Sequence, residues 1–233
     1  MHNSLDLYSK VEDLLGVKEV SPKLYAHYLL ALNSMEFDSL LDVGCGRGDF
    51  IHQMSSALDI DTIKGIDLSP LMVKKTKALG YSAEVIALQD ERGTYDVISA
   101  VFDMLNYIEP KNLEEFLISM REHLNDGGIF LCDINTLYGF EGVAVGAYIV
   151  DDDERFLTID SDFDDGIYDS IFTLFEKQGD KFKKSQARIK QYHHSVEDII
   201  RYSGLELISK DDISLYGFDE ADKSFLMLHK NII

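Results

Sequence analysis

"LLDVGCGRGDF", residues 40–50, decides how this chain folds. Leu40 and Leu41 begin an apolar run that ends in Asp42, the glycines Gly44, Gly46 and Gly48 follow on alternate positions, and Asp49 opens what reads as a helix. A buried strand that passes through a glycine turn into a helix is the nucleotide corner of a doubly wound sheet, where ligands sit beyond the carboxyl ends of the strands. Dinucleotide sites space these glycines as G-x-G-x-x-G, and the present turn reads G-x-G-x-G. Charge points the same way. Asp42 precedes the glycines, and Asp49 stands where a carboxylate is expected to satisfy the free helix N–H groups and the positive dipole end in place of a phosphate. A turn with carboxylates on both sides suits a ligand that carries positive groups and no phosphate.

Outward from the turn the pattern is periodic. Upstream, Leu5, Tyr8, Val11 and Leu15 recur at helical spacing, and "SPKLYAHYLLAL" predicts a second helix with Ser21 as N-cap and Pro22 at its first position. Downstream, "TIKGIDLS", "SAEVIAL", "YDVISAVF" and "IFLCDIN" read as strands. The helices "DFIHQMSSAL", "PLMVKKTKALG" and "NLEEFLISMREHL" lie among them, the last followed by a "NDGG" turn. Strands alternating with helices of this length predict an α/β protein with a doubly wound, mostly parallel sheet. From about residue 141 the alternation stops. "IYDSIFTLFEK" and "FKKSQARIKQYHH" are period-two runs around "QGDK", the pattern of an antiparallel hairpin insertion. A helix "SVEDIIRYSG", capped by Ser195 and stopped by Gly204, and strands "LELISK" and "SFLMLHK" close the chain.

The chain has 233 residues, enough for one large core, and its 42 acidic against 22 basic residues give a net charge of -20. Such a field repels nucleic-acid phosphate and anionic membranes and favours cationic ligands, although solubility alone accounts for it equally well. Cys45 and Cys132 both lie in or beside apolar strands, which fits reduced thiols and a cytoplasmic setting. "MHNSLDLYSK" lacks the basic and apolar regions of a signal peptide, and the apolar run "GVAVGAYIV" is too short for a bilayer. In the acidic run "DDDERFLTIDSDFDDG" a calcium loop starting at Asp160 would need glycine where Asp165 stands and glutamate where Ile171 stands. A charged hairpin edge that discourages strand addition is the expectation there, and no metal site is expected.

The turn, together with "GIDLSPLMV" at residues 66–74 and "LNDGGIFLCDIN" at 124–135, resembles the ordered motifs of class I S-adenosylmethionine-dependent methyltransferases. The resemblance implies a Rossmann-like, mostly parallel seven-stranded sheet in a single methyltransferase domain. Residues 1–36 would form an N-terminal helical lid, 37–140 the cofactor-binding core, 141–192 a β-rich cap over the acceptor, and 193–233 the C-terminal part of the core. It also implies S-adenosyl-L-methionine as cofactor and S-adenosyl-L-homocysteine as product, held by Asp42, Gly44, Cys45, Gly46, Asp67, Leu68, Asp90 and Phe102. Asp67 would bond both ribose hydroxyls, since one carboxylate offers two acceptor oxygens to a vicinal diol. The adenine contact is open among Glu84, Leu88, Gln89 and Asp90. "AVFDMLNYIEP" places Phe102, Asp103, Asn106 and Tyr107 beside the reacting centre by this resemblance, and Asp103, Tyr107, His193 and His194 are the candidate bases for a protonated nucleophile. Neighbouring His193 and His194 point to opposite faces of a strand and would not share a metal.

"FDMLNYI", the hairpin insertion and "YHHSVEDIIRYSGLELI" are most similar to small-molecule members, including amino-sugar and glycine-type N-methyltransferases and the YqeM-like group. The expected acceptor is therefore a small molecule, an amine nitrogen ahead of a hydroxyl, with no nucleic-acid or membrane partner, on a monomer or homodimer. Two other readings stay open: a degenerate protein that binds the cofactor and regulates a partner, and an NAD(P)-dependent oxidoreductase.

Overall fold

The computed structural model describes residues 2–232, with side-chain surroundings from Asp6 onward, so the helical position expected of Leu5 lies outside the described side chains. Two helices come first, α1 (His2–Val11) and α2 (Val17–Leu32), joined by a 3-10 turn over Glu12–Leu14. The alternating series is β1 (Ser39–Val43), α3 (Asp49–Ala57), β2 (Thr62–Ile66), α4 (Pro70–Ala78), β3 (Ser82–Glu84), β4 (Tyr95–Ala100), α5 (Pro110–Glu122) and β5 (Leu124–Asn135). Then come β6 (Gly146–Asp151), β7 (Arg155–Asp164), β8 (Ile167–Gln178), β9 (Lys181–Tyr192), α6 (Val196–Ser203), β10 (Glu206–Ile213) and β11 (Lys223–His229).

Seven strands form one sheet in the order β10-β11-β5-β4-β1-β2-β3, and only β11 runs antiparallel to its neighbours. Side chains alternate across it. Leu40, Val97 and Leu131 face a layer containing Leu24, Tyr28 and Phe50 of α2 and α3, while Leu41, Ile98 and Phe130 face Leu113, Leu117 and Ile199 of α5 and α6. Both faces are covered, which is why these strands read as continuous apolar runs. Strand β1 lies between β2 and β4, so the chain departs in opposite directions on its two sides and leaves a crevice at its carboxyl end.

The second sheet, β6-β7-β8-β9, is wholly antiparallel. Leu157, Ile159, Phe172, Leu174 and Ile189 on one face bury Leu7 and Val11 of α1. The first helix is thus cored by the insertion rather than by the parallel sheet.

Local expectations shift in four places. Helix α2 starts at Val17, because Gly16 takes a left-handed conformation at φ 68° and turns the chain a full turn before Pro22. Ser21 is therefore inside the helix, its hydroxyl donating back to the Val17 carbonyl at 2.5 Å, and is not the N-cap. The strand expected over residues 82–88 keeps only Ser82–Glu84, and Leu88–Asp90 form a 3-10 turn. "NDGG" is a bulge within β5, where the register against β4 slips between Tyr95 and Val97. Strand β7 is covered by β6, so its acidic residues mark the exposed face of an interior strand and not an edge.

Candidate active site

A cleft of about 650 Å³ opens at the carboxyl ends of β1 and β4 and is roofed by the first two helices and β9. Its floor is the glycine turn. The N–H groups of Gly44 and Cys45 donate to the Ile66 carbonyl at 2.8 and 3.0 Å, and the Gly46 N–H donates to Asp67 Oδ2 at 2.9 Å. Gly44, at φ 76°, has no room for a side chain, since a Cβ would come 2.6 Å from Met104 Cγ. Gly46 is different. A Cβ there would meet nothing within 4 Å, so the backbone stands open to the cleft, as a surface that a ligand approaches closely must.

Two carboxylates flank this floor. Asp42 is buried at the end of β1 and accepts from Ser99 Oγ at 2.8 Å; burial, offset by that bond and reinforced by nearby Asp67, pushes its carboxyl up to about 7. Asp67 follows β2 and accepts one backbone N–H on each oxygen, from Gly46 and, at 2.7 Å, from Ser69. Burial raises its carboxyl as well, against the pull of these N–H donors. Each oxygen has a second lone-pair site, so the carboxylate is positioned by the turn yet able to accept two more bonds.

The walls are aromatic. Tyr8, Tyr25, Phe50, Phe102 and Tyr107 line the cleft, and Tyr25 meets Phe50 and Phe102 edge-to-face with centroids 5.4 and 5.7 Å apart. Burial raises the phenols of Tyr8 and Tyr107, so both stay protonated through the neutral range. Leu68, Ile86, Ala87, Leu88 and Gln89 form an apolar end of the cleft beyond Asp67.

Of the residues expected at the site, Asp42, Gly44, Cys45, Gly46, Asp67, Leu68, Phe102 and Tyr107 line the cleft. Others do not. Asp90 ends its 3-10 turn exposed and outside the lining, where Gln89 takes its place. His193 lies beyond the end of β9, donating its N–H to the Gly166 carbonyl, and is not a cleft residue. His194 is buried with Nε2 3.0 Å from the Ile108 carbonyl. Asn106 is buried too; its amide donates to the Tyr192 carbonyl and its Oδ1 accepts the Asn135 N–H.

Asp103 is turned away from the cleft into an ion cluster. Lys223 Nζ on β11 lies 2.6 Å from Asp103 Oδ1, 3.0 Å from Asp133 Oδ2 and 3.0 Å from Asn135 Oδ1. Gln191 of β9 donates to the other oxygen of Asp103. Asp133 also accepts the Phe102 and Asp103 N–H groups at 2.7 and 2.9 Å and the Tyr28 hydroxyl at 2.7 Å. These bonds hold two consecutive non-glycine residues in the left-handed region, Phe102 at φ 55° and Asp103 at φ 51°, a strained turn that sets the Phe102 ring into the cleft.

Asp49 also departs from expectation. Its carboxylate accepts from Arg47 Nε and NH2 at 2.8 and 2.6 Å and makes no cap bond to the helix amides, so the anion site is not filled by it. Repulsion of a diphosphate rests instead on Asp42 and Asp67 against the open backbone. Residues not foreseen as binding groups also line the cleft, notably Glu12 and Lys18 from the lid and Arg47 from the turn. Only Arg47, inside the glycine motif, carried a local signal.

Residues 40–128 match the family model described as "Methyltransferase domain". An uncharacterized methyltransferase of Schizosaccharomyces pombe is 28% identical over 137 residues, covering 55% of this chain and 52% of the relative, so the chain spans about half of that relative's length. Among solved structures, an S-adenosylmethionine-dependent methyltransferase from Clostridium acetobutylicum superposes with TM-score 0.76 at 21% identity, covering 97% of each chain. The sugar N-methyltransferase KedS8 from Streptoalloteichus gives 0.71 at 13%, covering 99% of this chain and 94% of that one. Residues 40–128 are thus a methyltransferase domain, and the chain as a whole has the class I methyltransferase fold, with its mostly parallel seven-stranded sheet and an antiparallel four-stranded one. Among the described residues no helix is long and apolar enough to cross a membrane.

Proposed function

We propose that this protein is an S-adenosylmethionine-dependent methyltransferase that methylates a small molecule, on an amine nitrogen ahead of a hydroxyl. The observation that carries the reading is the pairing of Asp42 and Asp67 with an aromatic wall around an open glycine turn. Carboxylates receive a diol and cationic groups, aromatic faces receive a cation, and neither receives a diphosphate. The cofactor family and the KedS8 likeness support the same choice, the latter favouring nitrogen.

In this reading Asp67 holds the ribose, Leu68, Ile86 and Leu88 enclose the adenine, and the Gly44–Gly46 backbone passes beside the amino-acid tail. When bound, the cofactor supplies an electrophilic methyl on a sulfonium. The chain's part is alignment and exclusion of water: Phe102 and Tyr25 pack one side, while Tyr8 and Tyr107 close the acceptor side from the lid and the turn after β4. Protonated Tyr107 orients an acceptor by hydrogen bonding and is no base, and Asp103 serves by holding the turn. A neutral amine, which reacts with its own lone pair, needs no base in the displacement itself.

Calorimetry tests the assignment. S-adenosylmethionine and S-adenosylhomocysteine are expected to bind the parent and to bind Asp67→Ala at least about tenfold more weakly, the scale of a lost charge-assisted bond. Binding of NADH in their place overturns the reading.

A further inference from the structure

Glu12 is the one cleft-lining side chain whose burial has no return within the protein as it stands. It occupies the 3-10 turn between α1 and α2, its side chain is only 17% exposed, and its Oε2 has no hydrogen-bond partner among the described residues. The nearest cation is Arg47, with Nε 3.4 Å away, but that Nε and the NH2 group both donate to Asp49. Burial raises the Glu12 carboxyl and Arg47 only partly offsets it. A buried, unpaired carboxylate oxygen is costly, and folded proteins leave few without a role.

What surrounds Glu12 defines what completes it. It faces the glycine-turn end of the cleft, with Arg47 and Asp49 as charged neighbours on one side and Lys18 on the other. Lys18 lines the same end and makes no ion pair among the described residues within 4.0 Å, so a carboxylate and an amine face one space without bonding each other. That pair is complementary to a zwitterion: an ammonium against Glu12 and a carboxylate against Lys18. The backbone between Gly44 and Gly46 runs along the same space.

Resting on the cofactor reading above, we propose that Glu12 receives the ammonium of the cofactor's α-amino-acid tail, so that the lid turn recognises the tail directly. The apolar end of the cleft beyond Asp67 lies outside this assignment; nucleoside recognition is left to Asp67 and its neighbours. The lid is therefore drawn onto the glycine turn by a charge that only the amino-acid tail supplies.

The test compares two probes on the full chain by calorimetry: S-adenosylhomocysteine, which has the tail, and 5′-methylthioadenosine, which keeps the nucleoside and thioether but lacks it. Glu12→Gln, which preserves shape, is expected to weaken S-adenosylhomocysteine about tenfold or more and to leave 5′-methylthioadenosine within about twofold. Retained binding of the tailless probe shows that the variant is folded with an intact cleft. Equal weakening of both probes, or weakening of neither, overturns the assignment while leaving the cofactor reading standing. Failure of the parent to bind either probe overturns the cofactor reading, and this assignment with it.

Discussion

Asp42 shows how one side chain carries both the fold and the ligand preference. It ends β1 beneath the glycine turn, bonded to Ser99, and titrates near 7 because burial disfavours its charge. The sign follows from the raised value. The folded form holds this proton more tightly than the unfolded chain does, so as pH rises from the ordinary aspartate range through about 7 the carboxylate forms at a cost to stability. A cationic ligand reverses that cost, since it lowers the Asp42 value and binding releases a proton. Affinity for S-adenosylhomocysteine is therefore expected to rise between about pH 6 and about pH 8 by up to about tenfold, and to lose that slope in Asp42→Asn. Calorimetry across the range checks it; an identical slope in the variant assigns the effect elsewhere.

At the scale of elements, the turn after β4 is held by groups that arrive from everywhere except its own neighbourhood. Tyr28 comes from α2, Asp133 and Asn135 from β5, Gln191 from β9 and Lys223 from β11, the last 120 residues away along the chain from Asp103. Lys223 is buried at 1% exposure between two carboxylates, and removing it leaves both uncompensated. Lys223→Met is expected to lower the unfolding free energy by about 3–5 kcal/mol, read by urea denaturation, because breaking a buried pair from one side strands the other charge. A variant as stable as the parent would mean that the cluster costs as much as it contributes. This arrangement also explains what the residues along the chain disclosed and what they hid. The glycine turn, Asp67 two residues past its strand pair, and the period-two runs of β8 and β9 are written in consecutive residues, and local patterns reach them. Asp103 and Asn106 looked like site groups because their strand end lies at the site, but backbone strain and distant partners turn both side chains inward. His193 follows the last paired residue of β9, so the strand-face argument ended one residue too early for it. Glu12 had no signal at all, since its helical segment reads as a surface turn until the insertion sheet and the glycine turn close around it.

For the whole molecule, the question is how a chain of net charge -20 treats its acceptor. Much of the basic charge is spent locally: Arg155 holds Asp13 and Asp152, Arg188 holds Asp169, and Lys64 holds Glu84 and Glu91. The remaining acidic excess produces a long-range negative potential that gathers cations at the cleft mouth, where Glu109 and Glu115 also stand. A small amine is mostly ammonium in solution at neutral pH and travels as a cation even though it reacts as the free base. Its encounter with the enzyme is therefore expected to weaken as salt shortens the screening length from about 30 Å at 0.01 M to about 6 Å at 0.3 M. The KM for a cationic amine acceptor should rise several-fold across that range while kcat holds, because the bound geometry is short-range and screened little. A neutral hydroxyl acceptor should show no such rise. Steady-state kinetics with one acceptor of each kind, at fixed saturating cofactor, separates the two cases, and a salt-independent KM for the amine would place its recognition in contacts within the cleft instead of in the field of the chain.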